Sequence, residues 1–207
     1  MLQIYHAPRT RGFRAIWLCE ELSLPYSIVR IDMSPAYRSS PAWRRMNPVG
    51  KVPAMRDGEF VMFESGAMVQ YLLDKFAGGR LQPAAGTPEH GLYLQWSWFA
   101  ESTFARPLGE IVNHRREFAG AEVPAVITEM QGRARSCAQA VDQVLRNKTF
   151  LLGDEFSAAD IMMGYTLRIY PRLMSDPLPE HVARYWNTLV QRAAYQAADA
   201  ADNKTLA

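Results

Sequence analysis

The sequence has few of the side chains that bind metals or form disulfides, and it has no long apolar run. Its 207 residues include two cysteines, Cys19 and Cys137, which are too few for a disulfide framework. The four histidines show no paired spacing on one helix face, which argues against a zinc or di-iron site. No stretch approaches the roughly 18–20 apolar residues of a membrane span. We therefore expect no metal and no membrane association, with both cysteines as buried free thiols.

Charge of either sign is also not in excess. The 23 basic and 21 acidic residues leave a net charge of +2, which gives no reason to expect nucleic acid or an anionic membrane as a partner. Residues 1–5 lack the basic start and the sustained apolar segment of a secretory signal, so we expect a cytoplasmic protein. The apolar fraction of 48% is that of a globular chain of one or two domains.

The first 80 residues predict a small α/β domain. A strand at residues 2–5, a helix at about 12–24 and a strand at 27–31 form a βαβ unit, which implies parallel pairing. Two β-type runs at 52–56 and 59–63 flank Asp57-Gly58, a strong hairpin signal. A helix from residue 64 to about residue 76 then ends at a pair of glycines.

The remainder of the chain predicts helices only. A linker rich in proline and glycine occupies residues 81–87, and residues 88–207 form the second predicted domain. Its alanine-rich segments lack the alternation of strands. The predicted helices are 88–116, 124–148, 158–170 and 179–194.

The first motif is the run Asn-Pro-Val-Gly-Lys-Val-Pro at residues 47–53. Pro53 stands where a strand begins, a place where proline removes a ladder donor. A cis Val52–Pro53 bond would leave the backbone groups of Val52 available to an extended peptide, as in strand addition. An ordinary trans proline at a strand start is the alternative.

The second motif is Glu64-Ser65 at the start of a predicted helix. The amides and the dipole of a helix N-terminus attract a carboxylate, and Glu64 could bind an ammonium group. Together they would suit the head group of an α-amino acid. The alternative is that Ser65 only caps the helix. A third motif, Ser157-Ala-Ala-Asp160, is typical of a capping box and predicts a structural role.

These motifs, in this order and spacing, resemble the glutathione transferase superfamily across the whole chain. The resemblance implies a thioredoxin-like N-terminal domain and an all-helical C-terminal domain. It implies that the Val52–Pro53 bond is cis and that Val52 and Pro53 contact the cysteinyl unit of glutathione. Glu64 and Ser65 would bind the γ-glutamyl unit, and Lys51 would lie near the glycine carboxylate. It also implies a homodimer, in which Glu101 of one subunit reaches the γ-glutamyl amine of the other; a salt bridge across the interface is the alternative role for Glu101.

The family places its thiol-activating group after the first strand. Thr10 matches the serine of serine-type members, whereas Arg11 stands where cysteine-type bacterial members carry their cysteine. A free thiol has a pKa near 8.5, so activation needs a hydrogen-bond donor or a positive charge at the sulfur. The resemblance makes Thr10 and Arg11 the catalytic candidates, and Arg14 could add positive charge. A helix cap is the structural alternative for Thr10.

The function that the resemblance implies is conjugation of glutathione, as co-substrate, to a small and largely hydrophobic electrophile, in detoxification. The candidate lining for the electrophile comes from the first long helix of the second domain. A glutathione-dependent peroxidase, disulfide reductase or isomerase would use the same thiolate. A binding or regulatory protein without catalysis is the third alternative. The lining candidates are Trp98, Phe99, Phe104, Arg106 and His114.

Overall fold

The computed structural model describes residues Met1–Lys204, which divide into two compact units. The first unit comprises Met1–Arg80 and the C-terminal segment that begins at Gln191, and the second comprises Leu81–Val190. The sequence had placed everything after residue 87 in the helical domain. The C-terminal segment instead packs within the first unit, because its helix carries aromatic and polar contacts to the first helix of the chain.

The first unit is built on a four-stranded mixed sheet in the order β2-β1-β3-β4. β1 and β2 are parallel, as the βαβ pattern predicts, and β3 and β4 form the predicted antiparallel hairpin. β1 also pairs with β3 in antiparallel register, with Ile4 opposite Met55. The strands are β1 (Leu2–His6), β2 (Tyr26–Arg30), β3 (Ala54–Asp57) and β4 (Phe60–Phe63).

Helices of the first unit cover this sheet. α1 buries almost its whole length, including the large side chain of Trp17. Tyr195 of α10 packs edge-on against Trp17, with ring centroids 4.9 Å apart. Arg192 makes a two-pronged ion pair with Glu21 at 2.7 and 2.8 Å, which joins the start of α10 to α1. The helices are α1 (Phe13–Leu22), α2 (Pro35–Ser39), α3 (Pro41–Met46), α4 (Ser65–Phe76) and α10 (Ala193–Asn203).

The second unit is helical, as predicted, but its first long helix is interrupted. A π-helical segment, Phe99–Phe104, separates α5 from α6. The buried side chain of Thr166, which lies outside this segment, donates a hydrogen bond of 3.0 Å to the carbonyl of Ala100 within it. A buried hydroxyl therefore pairs with the irregular backbone. The helices are α5 (Pro88–Trp98), α6 (Ala105–Glu117), α7 (Pro124–Leu145), α8 (Ala158–Ile169) and α9 (Glu180–Val190), with a 3₁₀ turn at Tyr170–Arg172.

The capping box at the start of α8 is confirmed. The buried Asp160 carboxylate accepts hydrogen bonds from the amides of Ser157 and Leu151, at 2.8 and 3.0 Å, and from the Tyr185 hydroxyl at 2.8 Å. Burial raises the pKa of Asp160, and these donors act in the opposite direction. Asp160 therefore links the start of α8 to α9, in the structural role that its spacing predicts.

Two further findings concern membrane and metal binding. Between Met1 and Lys204, no helix is both long enough and apolar enough to cross a membrane. The same residues contain no group of three or more His, Cys, Asp or Glu side chains arranged to hold a metal ion. Both cysteines are free and buried, and burial raises the pKa of each thiol.

Candidate functional site

The loop between β1 and α1 lies against the proline motif. The Val52–Pro53 bond is cis, as predicted. Gly12, just before α1, has so little space beside it that an added methyl group would lie 3.2 Å from Pro53 Cβ and 2.3 Å from His6 Nδ1. The loop that carries Thr10 and Arg11 is therefore in contact with the segment predicted to contact the cysteinyl unit.

Asn47 holds the proline motif in shape. Its buried side chain donates to the carbonyl of Lys51 at 2.9 Å and accepts from the amide of Val49 at 3.1 Å. Arg38 donates from Nε to the carbonyl of Gly50 at 2.8 Å. Val52 packs against the cluster around Trp43, and Lys51 is exposed. These contacts fix the backbone at Val52 next to the beginning of β3.

Ser65 is not a helix cap, which corrects that reading of its sequence position. It is the first residue of α4, and no side chain among the described residues caps this helix. The buried Ser65 Oγ instead accepts a hydrogen bond of 3.1 Å from Nη1 of Arg14, whose side chain is fully buried. Glu64 precedes it, exposed and in the left-handed region with φ 74°. A guanidinium and a helix N-terminus therefore lie together, and both attract an anion.

Thr10 belongs to a chain of polar groups. Its hydroxyl donates a hydrogen bond of 2.7 Å to the carbonyl of Ala7, and its Oγ1 also lies 3.1 Å from Nδ1 of His6. The other ring nitrogen of His6, Nε2, lies 2.5 Å from Oδ1 of Asp202 on α10. The side chains of His6 and Asp202 are both fully buried. Arg9, at φ 64°, donates its amide to both oxygens of Asp202 at 3.2 Å.

The sequence did not identify His6 or Asp202 as site residues. His6 is the last residue of β1 and belongs to no motif, and its partner lies 196 residues further along the chain. A carboxylate on an alanine-rich helix gives no local signal of such a contact.

The remaining candidates are distributed between the two units. Arg11 lies half-buried in the Thr10 loop, and its carbonyl accepts from the amide of Arg14 at 3.2 Å. Glu101 is half-buried in the π-helical segment of the second unit, and its role in a dimer stays a prediction.

The aromatic residues of the first long helix divide into core and surface. Phe104 is fully buried and packs edge-on against Tyr170, so it belongs to the core and is not lining for an electrophile. Tyr93 and Trp96 are likewise buried inside the second unit, whereas Trp98 is 65% exposed.

Comparison with known proteins identifies both halves of the chain. Residues 1–74 match the model of the glutathione S-transferase N-terminal domain, and residues 116–193 match that of the C-terminal domain. Glutathione S-transferase hmp2 of Hypomyces subiculosus is 30% identical over 68% of this chain and 69% of its own length. The disulfide-bond oxidoreductase YfcG of Escherichia coli is 26% identical over 92% of this chain and 90% of its own.

A solved structure extends this likeness to three dimensions. The glutathione transferase URE2P8 from Phanerochaete chrysosporium, crystallised with oxidized glutathione, superposes with a TM-score of 0.87 at 26% identity. The match covers 95% of this chain and 92% of that one. With both of its domains matched and its fold shared, the chain belongs to the glutathione S-transferase family.

Proposed function

We propose that this protein is a glutathione transferase that joins the glutathione thiolate to a small hydrophobic electrophile. The observation that carries the proposal is that the segments predicted to bind and activate glutathione lie next to one another in the first unit. The Thr10 loop contacts Pro53, and Arg14 at the start of α1 donates to Ser65 at the start of α4. The oxidized glutathione in the related URE2P8 crystal supports glutathione as the co-substrate.

The binding of glutathione follows from charge and exposed backbone. The γ-glutamyl carboxylate lies at the N-terminus of α4, where Ser65 and the buried Arg14 guanidinium favour an anion. Glu64, exposed beside it, pairs with the ammonium group. The backbone at Val52, next to Pro53, pairs with the cysteinyl unit, and Lys51 lies near the glycine carboxylate. In a homodimer, Glu101 of the other subunit adds a second carboxylate near the ammonium group.

Catalysis requires the thiol to be ionised near neutral pH. When glutathione binds, the Thr10 hydroxyl turns from the Ala7 carbonyl to donate to the sulfur, and Arg11 adds positive charge in the same loop. A hydrogen bond to the charged form lowers the pKa of a thiol. The thiolate attacks the electrophilic carbon, a C–S bond forms, and the leaving group departs with its electron pair.

The test compares Thr10→Ala with Thr10→Ser in an assay with glutathione and an aryl halide. We expect Thr10→Ala to lower kcat/KM by about 10²-fold, the scale seen when an oriented donor to a developing anion is removed. Thr10→Ser should retain activity within about fivefold, because it keeps the hydroxyl. Ser39→Ala, which removes an exposed hydroxyl from α2, serves as the matched control. A Thr10→Ala enzyme with kcat/KM within about twofold of the parent would exclude Thr10 as the activating group.

Disulfide reduction is a second candidate function, favoured by the similarity to the oxidoreductase YfcG. The same thiolate would attack a sulfur of a mixed disulfide, and the released thiolate would leave with the electron pair. Parallel rates on an aryl halide, a mixed disulfide and a hydroperoxide rank the reactions. A protein that is not retained on immobilised glutathione and forms no thiolate would instead be the non-catalytic alternative.

A further inference from the structure

We propose that His6 and Asp202 form, with Thr10, a proton relay that accepts the proton of the glutathione thiol. The proposal deepens the proposed function and rests on it. His6 and Asp202 act through Thr10 and are positioning residues for it.

The geometry is a carboxylate, an imidazole and a hydroxyl in series. Asp202 Oδ1 lies 2.5 Å from His6 Nε2, and His6 Nδ1 lies 3.1 Å from Thr10 Oγ1. A carboxylate only accepts, so the Nε2 atom of His6 carries the proton that it shares with Asp202. In the neutral ring, Nδ1 is then an acceptor 3.1 Å from Thr10 Oγ1. The Thr10 hydroxyl donates to the Ala7 carbonyl at 2.7 Å, so it has to rotate away from Ala7 before it can donate to Nδ1.

The hydroxyl of Thr10 can therefore pass a proton inward. When glutathione binds, the Thr10 hydroxyl rotates from the Ala7 carbonyl to the ring, its proton moves to His6 Nδ1, and the S–H proton moves to Thr10 Oγ1. One S–H bond breaks, one N–H bond forms, and Thr10 keeps a single proton throughout. The products are a thiolate that accepts a hydrogen bond from Thr10 and an imidazolium that donates to Thr10 and Asp202. After the conjugate forms, the proton returns from His6 Nδ1 through Thr10 to the departing anion or to water, and the ring is neutral again.

Burial makes Asp202 essential to this step. A fully buried imidazolium is costly unless a carboxylate pairs with it. The Asp202 carboxylate is itself held by the amide of Arg9. Arg30, the register partner of His6 on β2, donates to the carbonyls of Ala201 and Asp202 at 2.6 and 2.9 Å, which anchors the end of α10.

The charged groups around the ring act in opposite directions. Asp202 on α10 favours the imidazolium. The cations of the neighbouring elements oppose it, and the relay works because Asp202 is in direct contact with the ring. These cations are Arg30 on β2, Arg9 and Arg11 in the loop, and Arg14 on α1.

The first test follows protons in the unaltered protein. Glutathione is added in weakly buffered solution with a pH indicator, while the thiolate is followed by its ultraviolet absorbance. The relay predicts that thiolate forms with less than about half a proton released per site, because His6 retains the rest. Release of one proton per thiolate overturns the relay but leaves glutathione activation intact. Absence of any thiolate overturns both the relay and the proposed function.

The second test uses His6→Gln and Asp202→Asn. In His6→Gln the side-chain amide can still donate to Asp202, but it has no nitrogen that titrates. We expect the bound thiol to titrate about one pH unit higher in each variant, with kcat/KM reduced about tenfold at pH ~6.5 and recovering at high pH. The dissociation constant for glutathione should stay within about threefold. A role limited to packing predicts lower thermal stability with an unchanged thiol titration, and that result overturns the relay.

Discussion

Arg14 Nη1 donates a hydrogen bond of 3.1 Å to Ser65 Oγ, so the first turn of α1 is tied to the first residue of α4. The Arg14 side chain is fully buried. Its charge therefore acts on the N-terminus of α4 with little screening by solvent. This contact supplies a fixed positive charge where the proposed γ-glutamyl carboxylate binds.

Replacement of this guanidinium should weaken glutathione binding. We expect Arg14→Met to raise the KM for glutathione about tenfold, equivalent to about 1.4 kcal/mol, with a smaller effect on kcat. Arg133→Met, which removes an exposed ion pair with Glu129, is the control. Steady-state kinetics and calorimetry measure both effects. A folded Arg14→Met protein with unchanged KM would contradict this electrostatic role.

Gly12 should tolerate no side chain. An added methyl group would lie 2.3 Å from His6 Nδ1, so Gly12→Ala must displace the ring and with it Thr10. Overpacking of this kind costs about 1–3 kcal/mol, and we expect a lower Tm together with reduced activity. Gly91→Ala, within α5, is the matched control, because an added methyl group there would meet no atom of residues 1–204 within 4 Å beyond the backbone of its own helix. That change should stabilise by about 0.5–1 kcal/mol. Equal Tm shifts for the two variants would contradict the prediction.

The Asp57 carboxylate should stabilise the folded protein only at a pH at which it is ionised. It accepts hydrogen bonds from Lys75 and from the Tyr71 hydroxyl, and the contact with Lys75 is the main reason that its pKa is lowered. A carboxyl with a folded pKa below its unfolded value of about 3.9 stabilises the protein above that pH, and the contribution is lost as the pH falls.

The corresponding variant is Asp57→Asn. It should lower the free energy of unfolding by about 1 kcal/mol or less at pH 7, and the difference should vanish as the pH approaches the lowered pKa of Asp57. Urea unfolding at pH 7 and at acidic pH measures it. Glu59→Gln, at an exposed carboxylate in the same hairpin, is the control. A difference that persists undiminished in acid would count against the Lys75 pairing.

The protein's own thiols should be unreactive. Cys19 is fully buried, and burial, aided by Glu20, raises its pKa to about 12. Its thiolate fraction at pH 8 is then about one in ten thousand. We expect negligible labelling of Cys19 by a thiol reagent in the native protein and labelling of both cysteines after denaturation. The double variant Cys19→Ala/Cys137→Ala should keep kcat/KM within about twofold. Loss of activity from a folded double variant would show that a protein thiol takes part.

The sequence predicted the parts of the fold that have a local signal. The first strand, the turn at Asp57-Gly58 and the capping box at Ser157 each depend on neighbouring residues, and the structure contains all three. α2 and α10 were missed, because a five-residue helix and an alanine-rich one lack a distinctive apolar periodicity. The π-helical segment was missed for a similar reason: it continues the helical pattern of its neighbours.

The sequence predicts only those residues of the candidate site that lie in motifs. The cis bond before Pro53 was expected from the family resemblance and is present. From the sequence, a helix cap is one expectation for Ser65, because spacing cannot show that the buried Arg14 on another helix donates a hydrogen bond to its hydroxyl. The contact of His6 with Asp202 depends on packing between the two ends of the chain, which no local pattern encodes.

The placement of α10 in the first unit has a consequence for biosynthesis. The first unit begins at Met1 but is completed only by the segment that begins at Gln191. Domains generally fold as units while the chain is being made, N-terminal parts first. Here the sheet can assemble early, but the carboxylate that holds His6 and the Arg9 amide leaves the ribosome only after the whole of the second unit. The loop proposed to activate the thiol is therefore expected to reach its final form only after the second unit has been made.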